Sequence, residues 1–336
     1  MQSHITLREI SLKHILVALT AFISIAVQAQ VTGAGATFPA PVYAKWAEAY
    51  NQETKISINY AAIGSSGGIK QIDSKTVDFG ATDDPVGVDQ LNAKGQYQFP
   101  TVIGGVVPVV NVKGVEPGKL VLDGKTLADI FEGKILKWDD AQIKKLNPGL
   151  QLPAKEITLA VRADGSGTTA VFTNYLSQVS DSFKKTIGEG KTVKWPANAT
   201  AGKGNSGVAA FVKQIDGAIG YVEYAYVKQN KMTYTLLKNR KGKTVEPDDT
   251  TFLESAKSAN WNVPGMAANL NNLDGWPITA ATFVIVYKGS EKTGPVVKFF
   301  DWAFSNGTKL AADLDYVPLP DTVRAQVRKD WKKLGY

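Results

Sequence analysis

Apolar positions along this chain recur at two periods, and the switches between them mark out its elements. Residues 158–161 are β-branched and apolar enough for a buried strand, and residues 170–179 carry Val171, Phe172, Tyr175 and Leu176 at helical spacing. The segment between them, Val161-Arg162-Ala163-Asp164-Gly165-Ser166-Gly167-Thr168-Thr169, is polar and punctuated by glycine, so it predicts a tight loop opening a helix. The same arrangement occurs earlier. Thr32-Gly33-Ala34-Gly35-Ala36-Thr37-Phe38-Pro39 precedes Val42, Trp46, Ala49 and Tyr50 at helical spacing, with Pro39 suited to a first turn. Residues 56–60 alternate as a strand and run into Ile63-Gly64-Ser65-Ser66-Gly67-Gly68-Ile69, a third such loop. A short strand at 77–81 ends in Thr82-Asp83-Asp84-Pro85.

The remaining pattern is coarser. Residues 99–112 are apolar and β-branched but broken by Gly104-Gly105 and Pro108, which predicts a strand passing from one domain to another with a hinge within it. Residues 127–131 and 143–146 read as short helices. Gly202-Lys203-Gly204-Asn205-Ser206-Gly207 opens another helix at 208–212, and 217–222 resumes as a strand; this region is expected to pack beneath the functional site. Alternation at 233–237 predicts a strand and polar residues 238–249 an exposed hairpin or loop. Residues 278–287 read as a second crossing strand, and 296–304 and 322–331 as amphipathic closing helices.

Strands followed by loops that open helices predict an α/β protein, and such folds gather ligands at the carboxyl edges of their strands. Two lobes flanking a cleft would bring the loops together. The first N–H groups of a helix lack intrahelical partners, Gly165 and Gly167 admit a close backbone approach, and Ser166, Thr168 and Thr169 add hydroxyls. Arg162 supplies a planar fork of donors that Asp164 can orient, which together suit an oxyanion. An ordinary capped helix explains the Thr37 loop equally well, and it is the better account of the Gly165–Thr169 loop taken alone. For Asp83 a turn, common where Asp-Pro follows a strand, and a carboxylate aimed at a ligand stand level. No loop carries the lysine of a nucleotide P-loop or the dinucleotide glycine pattern, which disfavours nucleotides.

The amino terminus sets the expected address. Residues 1–29 carry Arg8 and Lys13, an apolar run over 15–27, and Val27-Gln28-Ala29 before Gln30, the order of a cleaved secretory signal peptide. A bacterial periplasm follows as the expected location. Both histidines, His4 and His14, fall in that segment, and the chain has no cysteine. Nucleophilic catalysis through Ser-His or Cys-His pairs and the usual zinc ligation are thereby excluded from the remainder. Roughly 300 residues remain, enough for about two domains. The formal charge of +7, one unit less after cleavage, could steer anions but falls short of a nucleic-acid footprint.

Taken together, Gly33-Ala34-Gly35-Ala36-Thr37-Phe38-Pro39, Gly64-Ser65-Ser66-Gly67-Gly68, Asp78-Phe79-Gly80-Ala81-Thr82-Asp83 and Arg162-Ala163-Asp164-Gly165-Ser166-Gly167-Thr168 resemble the motifs of the periplasmic phosphate-binding proteins of high-affinity phosphate ABC importers. The likeness spans nearly the whole chain beyond residue 29; Thr82 and Thr169 stand where serine is frequent and keep a hydroxyl. It implies a two-lobed α/β periplasmic binding protein, type II-like, closing on one dehydrated phosphate. The first lobe would be discontinuous, residues 30–105 and 278–336, and the second would span 106–277. By position, the ligand shell would be Thr37, the Phe38 N–H, Ser65, Asp83, Arg162, Ser166, the Gly167 N–H and Thr168, with Asp164 bracing Arg162. The role of Asp83 comes mostly from this resemblance. It further implies delivery of inorganic phosphate to a membrane permease, with no cofactor, no metal, no catalysis and no nucleic acid, by a monomer. A phosphate-ester hydrolase using Ser166 or Thr168 is disfavoured by the lack of a base or metal cluster. A sulfate binder is the nearer rival, which Asp83 discriminates.

Overall fold

Thirteen strands and the helices between them make up the protein, a computed structural model that describes residues 30–336. The expected signal peptide, residues 1–29, lies outside the described residues. In chain order the strands are β1 (Gln30–Gly35), β2 (Ser57–Ala62), β3 (Phe79–Thr82), β4 (Gln96–Asn111), β5 (Val121–Leu122), β6 (Thr158–Arg162), β7 (Ala199–Gly202), β8 (Ala218–Glu223), β9 (Thr233–Tyr234), β10 (Leu236–Lys238), β11 (Thr244–Val245), β12 (Thr279–Tyr287) and β13 (Val317–Pro318). A continuous hydrogen-bonded path runs β2-β1-β3-β12-β4-β8-β6-β7, with β13 and β9 also paired to β4. A small sheet, β11-β10-β5, stands apart.

The long strand β4 belongs to two sheets. Its first part pairs antiparallel with β12, from Gln96 opposite Tyr287 to Gly105 opposite Thr279. From Val106 to Asn111 it pairs instead with β8. The partner therefore changes between Gly105 and Val106, and Val106 still donates to the Ile278 carbonyl at 2.8 Å. Within the first sheet β1 is parallel to β2 and β3, and within the second β6 is parallel to β7 and β8. The parallel strands β1, β2 and β3, and likewise β6 and β7, send their carboxyl ends toward the same region between the sheets.

Each sheet is covered by helices that bury aromatic rings. Against the first, Tyr43, Phe79, Phe99 and Phe300 interlock edge to face, and against the second Phe172 stacks on Tyr221 with centroids 4.2 Å apart. Buried indoles are satisfied by backbone: Trp46 donates to the Gly307 carbonyl and Trp276 to that of Val106, each at 2.9 Å. Among the described residues no helix is long and apolar enough to cross a membrane, and no cluster of three or more His, Cys, Asp or Glu could hold a metal.

Several elements differ from the expectation. The segment expected as a loop from Thr32 is strand as far as Gly35. Small residues conceal it, because Gly33 lies where a Cβ would meet the Phe79 ring at 2.1 Å, so only a strand without side chain passes there. The single alternating strand expected at 233–237 is split into β9 and β10, which join different sheets. Residues 238–249 do form a hairpin, β10 to β11, but a helix, Asp249–Ser258, starts at their end.

Candidate functional site

Four helices begin in the space between the two sheets: Ala40–Thr54, Ser65–Asp73, Gly167–Val179 and Gly204–Gln214. Each follows a strand, β1, β2, β6 and β7 respectively, so the fold aims at one region four sets of N–H groups that have no partner within their own helix. The hydrogen bonds there connect Thr37, Ser65, Asp83, Arg162, Asp164, Gly167 and Thr168, and Phe38 and Ser166 are their chain neighbours. Every residue named from the sequence thus lies in or beside one buried cluster.

Arg162 ends β6 and is buried, with 1% of its side chain exposed. Its Nε donates to Asp164 Oδ1 at 2.9 Å and its Nη2 to Asp164 Oδ2 at 2.5 Å, a two-pronged grip that fixes the guanidinium plane. Nη1 donates to Thr168 Oγ1 at 3.3 Å. A guanidinium has five N–H donors. Three are used, which leaves one on each terminal nitrogen, pointing away from Asp164. Burial alone would raise the Asp164 carboxyl, but the hydrogen bond and charge of Arg162, with the Gly204 N–H at 2.9 Å, outweigh it and hold the carboxyl below its usual range.

Across from Arg162, Asp83 follows β3 and is only 3% exposed. Its Oδ1 accepts from Thr282 Oγ1 at 2.7 Å, whereas its Oδ2 is buried with no partner among the described residues. A Cβ added to Gly167 would sit 2.7 Å from that Oδ2 and 2.5 Å from Ser65 Oγ, so the free oxygen faces the start of the Gly167–Val179 helix. Burial pushes the Asp83 carboxyl up to about 7, against the lowering effects of the Thr282 hydroxyl and the Arg162 charge. One acceptor able to take or hold a proton therefore stands among many donors.

The two halves are joined by polar contacts. Gly167 N donates to Ser65 Oγ and Ser66 N to the Gly165 carbonyl, each at 3.0 Å, and Lys191 pairs with Asp84. Ser166 Oγ caps its own helix by accepting from Thr169 N at 3.0 Å. The loop carrying Thr37 is turned by three phenols: Tyr60 donates to the Ala36 carbonyl at 2.7 Å, Tyr226 to that of Thr37 at 2.7 Å and Tyr316 to that of Phe38 at 2.6 Å. Three successive carbonyls are thus engaged from outside.

Sequence reasoning missed part of this cluster. The Gly202–Gly207 stretch, expected beneath the site, is in it: Gly204 N reaches Asp164, and the fully buried Asn205 reaches Thr37 and Thr168. The loop signature was visible there, but β7 lies beside β6, and that adjacency, which brings its loop to the same edge, is set by pairing. Thr282 and Glu223 were likewise missed. Glu223 is fully buried, accepts from Ala225 N at 2.9 Å, has Oε2 2.8 Å from Tyr316 Oη, and is held by burial well above the usual carboxylate range.

A family profile described as the PBP superfamily domain matches residues 21–306. The chain is 52% identical over 309 residues to the phosphate-binding protein PstS of Haemophilus influenzae, covering 90% of this chain and 92% of that one. It is 49% identical over 326 residues to the protein of the same name from Pasteurella multocida, covering 95% and 94%. Among solved structures, a putative phosphate ABC transporter substrate-binding protein with bound phosphate from Clostridium perfringens superposes with a TM-score of 0.65 at 20% identity, covering 87% of this chain and all of that one. That likeness concerns the fold.

Proposed function

We propose, from the premise that this chain belongs to the family of phosphate-binding substrate-binding proteins, that it binds inorganic phosphate in the periplasm and delivers it to the membrane permease of an ABC importer. The ligand lies between two lobes, residues 30–105 with 278–336 and residues 106–277. Thr37, the Phe38 N–H, Ser65 and Asp83 contribute from the first lobe, and Arg162, Ser166, the Gly167 N–H and Thr168 from the second. Asp164 braces Arg162.

The observation that carries this reading is the pairing of a buried, braced Arg162 with a buried carboxylate whose Oδ2 has no partner among the described residues. Helix N-termini and an arginine alone would suit any oxyanion. An acceptor in their midst suits only an anion that still carries a proton, as phosphate does near neutral pH and sulfate does not. Hydrolysis is disfavoured because neither hydroxyl donates to a base among the described residues: Ser166 Oγ is seen only accepting from Thr169 N, and Thr168 Oγ1 only accepting from Arg162 and Asn205.

Calorimetric titration of phosphate-stripped protein with phosphate and sulfate tests the reading. About six charge-assisted hydrogen bonds at roughly 2 kcal/mol each, less at least about 4 kcal/mol for association, leave about 8 kcal/mol, a micromolar complex. A millimolar constant for phosphate, or equal affinity for sulfate at pH 8, refutes it.

A further inference from the structure

We propose that Asn205 is a positioning residue that fixes the Thr37 and Thr168 hydroxyls as hydrogen-bond donors toward the cleft, one from each lobe. This rests on the phosphate-binding reading above and adds the group that sets hydroxyl polarity. A hydroxyl has two lone pairs and one proton. Thr37 Oγ1 accepts from Asn205 N at 3.2 Å and from Asn205 Nδ2 at 2.8 Å, so both lone pairs are used. Thr168 Oγ1 accepts from Arg162 Nη1 at 3.3 Å and from the same Asn205 Nδ2 at 3.4 Å. Only a proton remains on each oxygen, and no described residue accepts it.

The orientation of the amide is itself determined. Asn205 Oδ1 accepts from Glu223 N at 2.9 Å, an N–H that can only donate, so the oxygen must face Glu223 and the amide nitrogen must face the threonines. Asn205 is fully buried, which leaves no water to permit the reverse arrangement. The chain from the Glu223 N–H through the Asn205 amide to two hydroxyls therefore carries one direction of donation to the ligand. It also crosses between lobes, because Thr37 follows β1 of the first sheet and Asn205, Thr168 and Glu223 belong to elements of the second. Without the amide, each hydroxyl could turn and offer a lone pair to an anion, and orientation would have to be fixed at the moment of binding.

A double-mutant cycle tests this by calorimetric titration of stripped protein with inorganic phosphate. Asn205→Ala should weaken phosphate binding roughly ten- to a hundredfold, as for loss of well-directed bonds to a charged ligand. In a Thr37→Val background the same change should cost less than about threefold, because the hydroxyl it directs is gone, and a Thr168→Val background should likewise reduce its effect. Asn205→Ser, which keeps a hydroxyl for the Glu223 N–H, takes the place of the alanine variant should that fail to fold. Costs that multiply independently in both backgrounds, or an Asn205→Ala protein that folds and binds as tightly as wild type, overturn the positioning role while leaving the phosphate reading intact. Wild-type protein that binds no phosphate overturns both.

Discussion

Asp83→Asn is the substitution that separates a phosphate site from a general oxyanion site. In the wild type Oδ1 is held by Thr282 at 2.7 Å, so on the proposed function the buried Oδ2 is the atom presented to the ligand. Hydrogen phosphate can donate its proton to that oxygen. Sulfate brings only acceptors, so two lone-pair-bearing oxygens and two negative charges would meet where no water screens them. Sites built around a ligand's donor reject analogues lacking it by about 10⁴-fold, which at about 1.4 kcal/mol per decade is roughly 5.5 kcal/mol. Asparagine is nearly isosteric: its oxygen can keep the Thr282 bond, and its amide nitrogen then faces the ligand as a donor. Phosphate accepts that bond with another oxygen, whereas sulfate loses its whole penalty. The phosphate-to-sulfate affinity ratio should fall by at least about a hundredfold, chiefly through a gain for sulfate. Competition titrations belong at pH 8, above the value near 7 to which burial pushes Asp83, so that the wild-type carboxyl is mostly ionised. A mutant that excludes sulfate as strongly as the parent refutes the reasoning and leaves selectivity to the loops alone.

Three further outcomes follow from the same geometry. Arg162→Ala removes the two outward N–H groups and strands the Asp164 carboxylate, so phosphate binding should weaken by at least about a hundredfold, while Lys184→Ala, on an exposed side chain, should change it less than about twofold; equal effects in titration would remove Arg162 from the site. Gly167→Ala introduces a methyl 2.5 Å from Ser65 Oγ and 2.7 Å from Asp83 Oδ2, across the junction of the two halves. It should abolish ligand-dependent compaction in small-angle scattering with little loss in the melting temperature of stripped protein, and compaction as in wild type would contradict the proposed junction. Because burial raises Asp83 to about 7, its neutral, donating form predominates below that pH, so wild-type sulfate affinity should rise about tenfold between pH 8 and pH 6; a flat sulfate profile would show that this carboxyl does not face the anion.

How much of this could be read from the sequence depended on whether a function coincided with a local pattern. Arg162 and the Gly165–Thr169 turn were legible because a strand, a glycine loop and a helix start are short-range features. Asp83 was not, since Thr82-Asp83-Asp84-Pro85 also satisfies ordinary turn chemistry, and indeed the Thr82 hydroxyl bonds the Asp84 backbone at 2.8 Å. Its burial and its tie to Thr282 come from β12 pairing with β3, a contact between residues 199 positions apart. Asn205, Tyr226 and Tyr316 reach the Thr37-Phe38 loop from 168, 189 and 278 positions away, and no periodicity encodes such arrivals. The β1 strand was hidden by its glycines and alanine, chosen by the bulk of Phe79 beside it. The Asp249–Ser258 helix had a signal that went unused: Asp248 and Thr251 form a capping box at its start.

On the proposed function, the division of the ligand groups between the lobes is what couples binding to closure. A ligand held only by Arg162, Ser166, Gly167 and Thr168 would bind the separated and the joined arrangements equally and could shift neither population. The groups of the first lobe, Thr37, Phe38, Ser65 and Asp83, add contacts that exist only when the halves meet. Moving a population from one part in a hundred joined to ninety-nine takes about 5.5 kcal/mol, which about three charge-assisted bonds at roughly 2 kcal/mol supply. Among the protein's own cross-lobe contacts, Gly167 to Ser65, Ser66 to Gly165, Asn205 to Thr37 and Tyr226 to Thr37 are neutral bonds of about 1 kcal/mol each against water, and the part-exposed Lys191–Asp84 ion pair adds no more than about that. They favour the joined form but, on the proposed function, do not complete the shift that the anion drives.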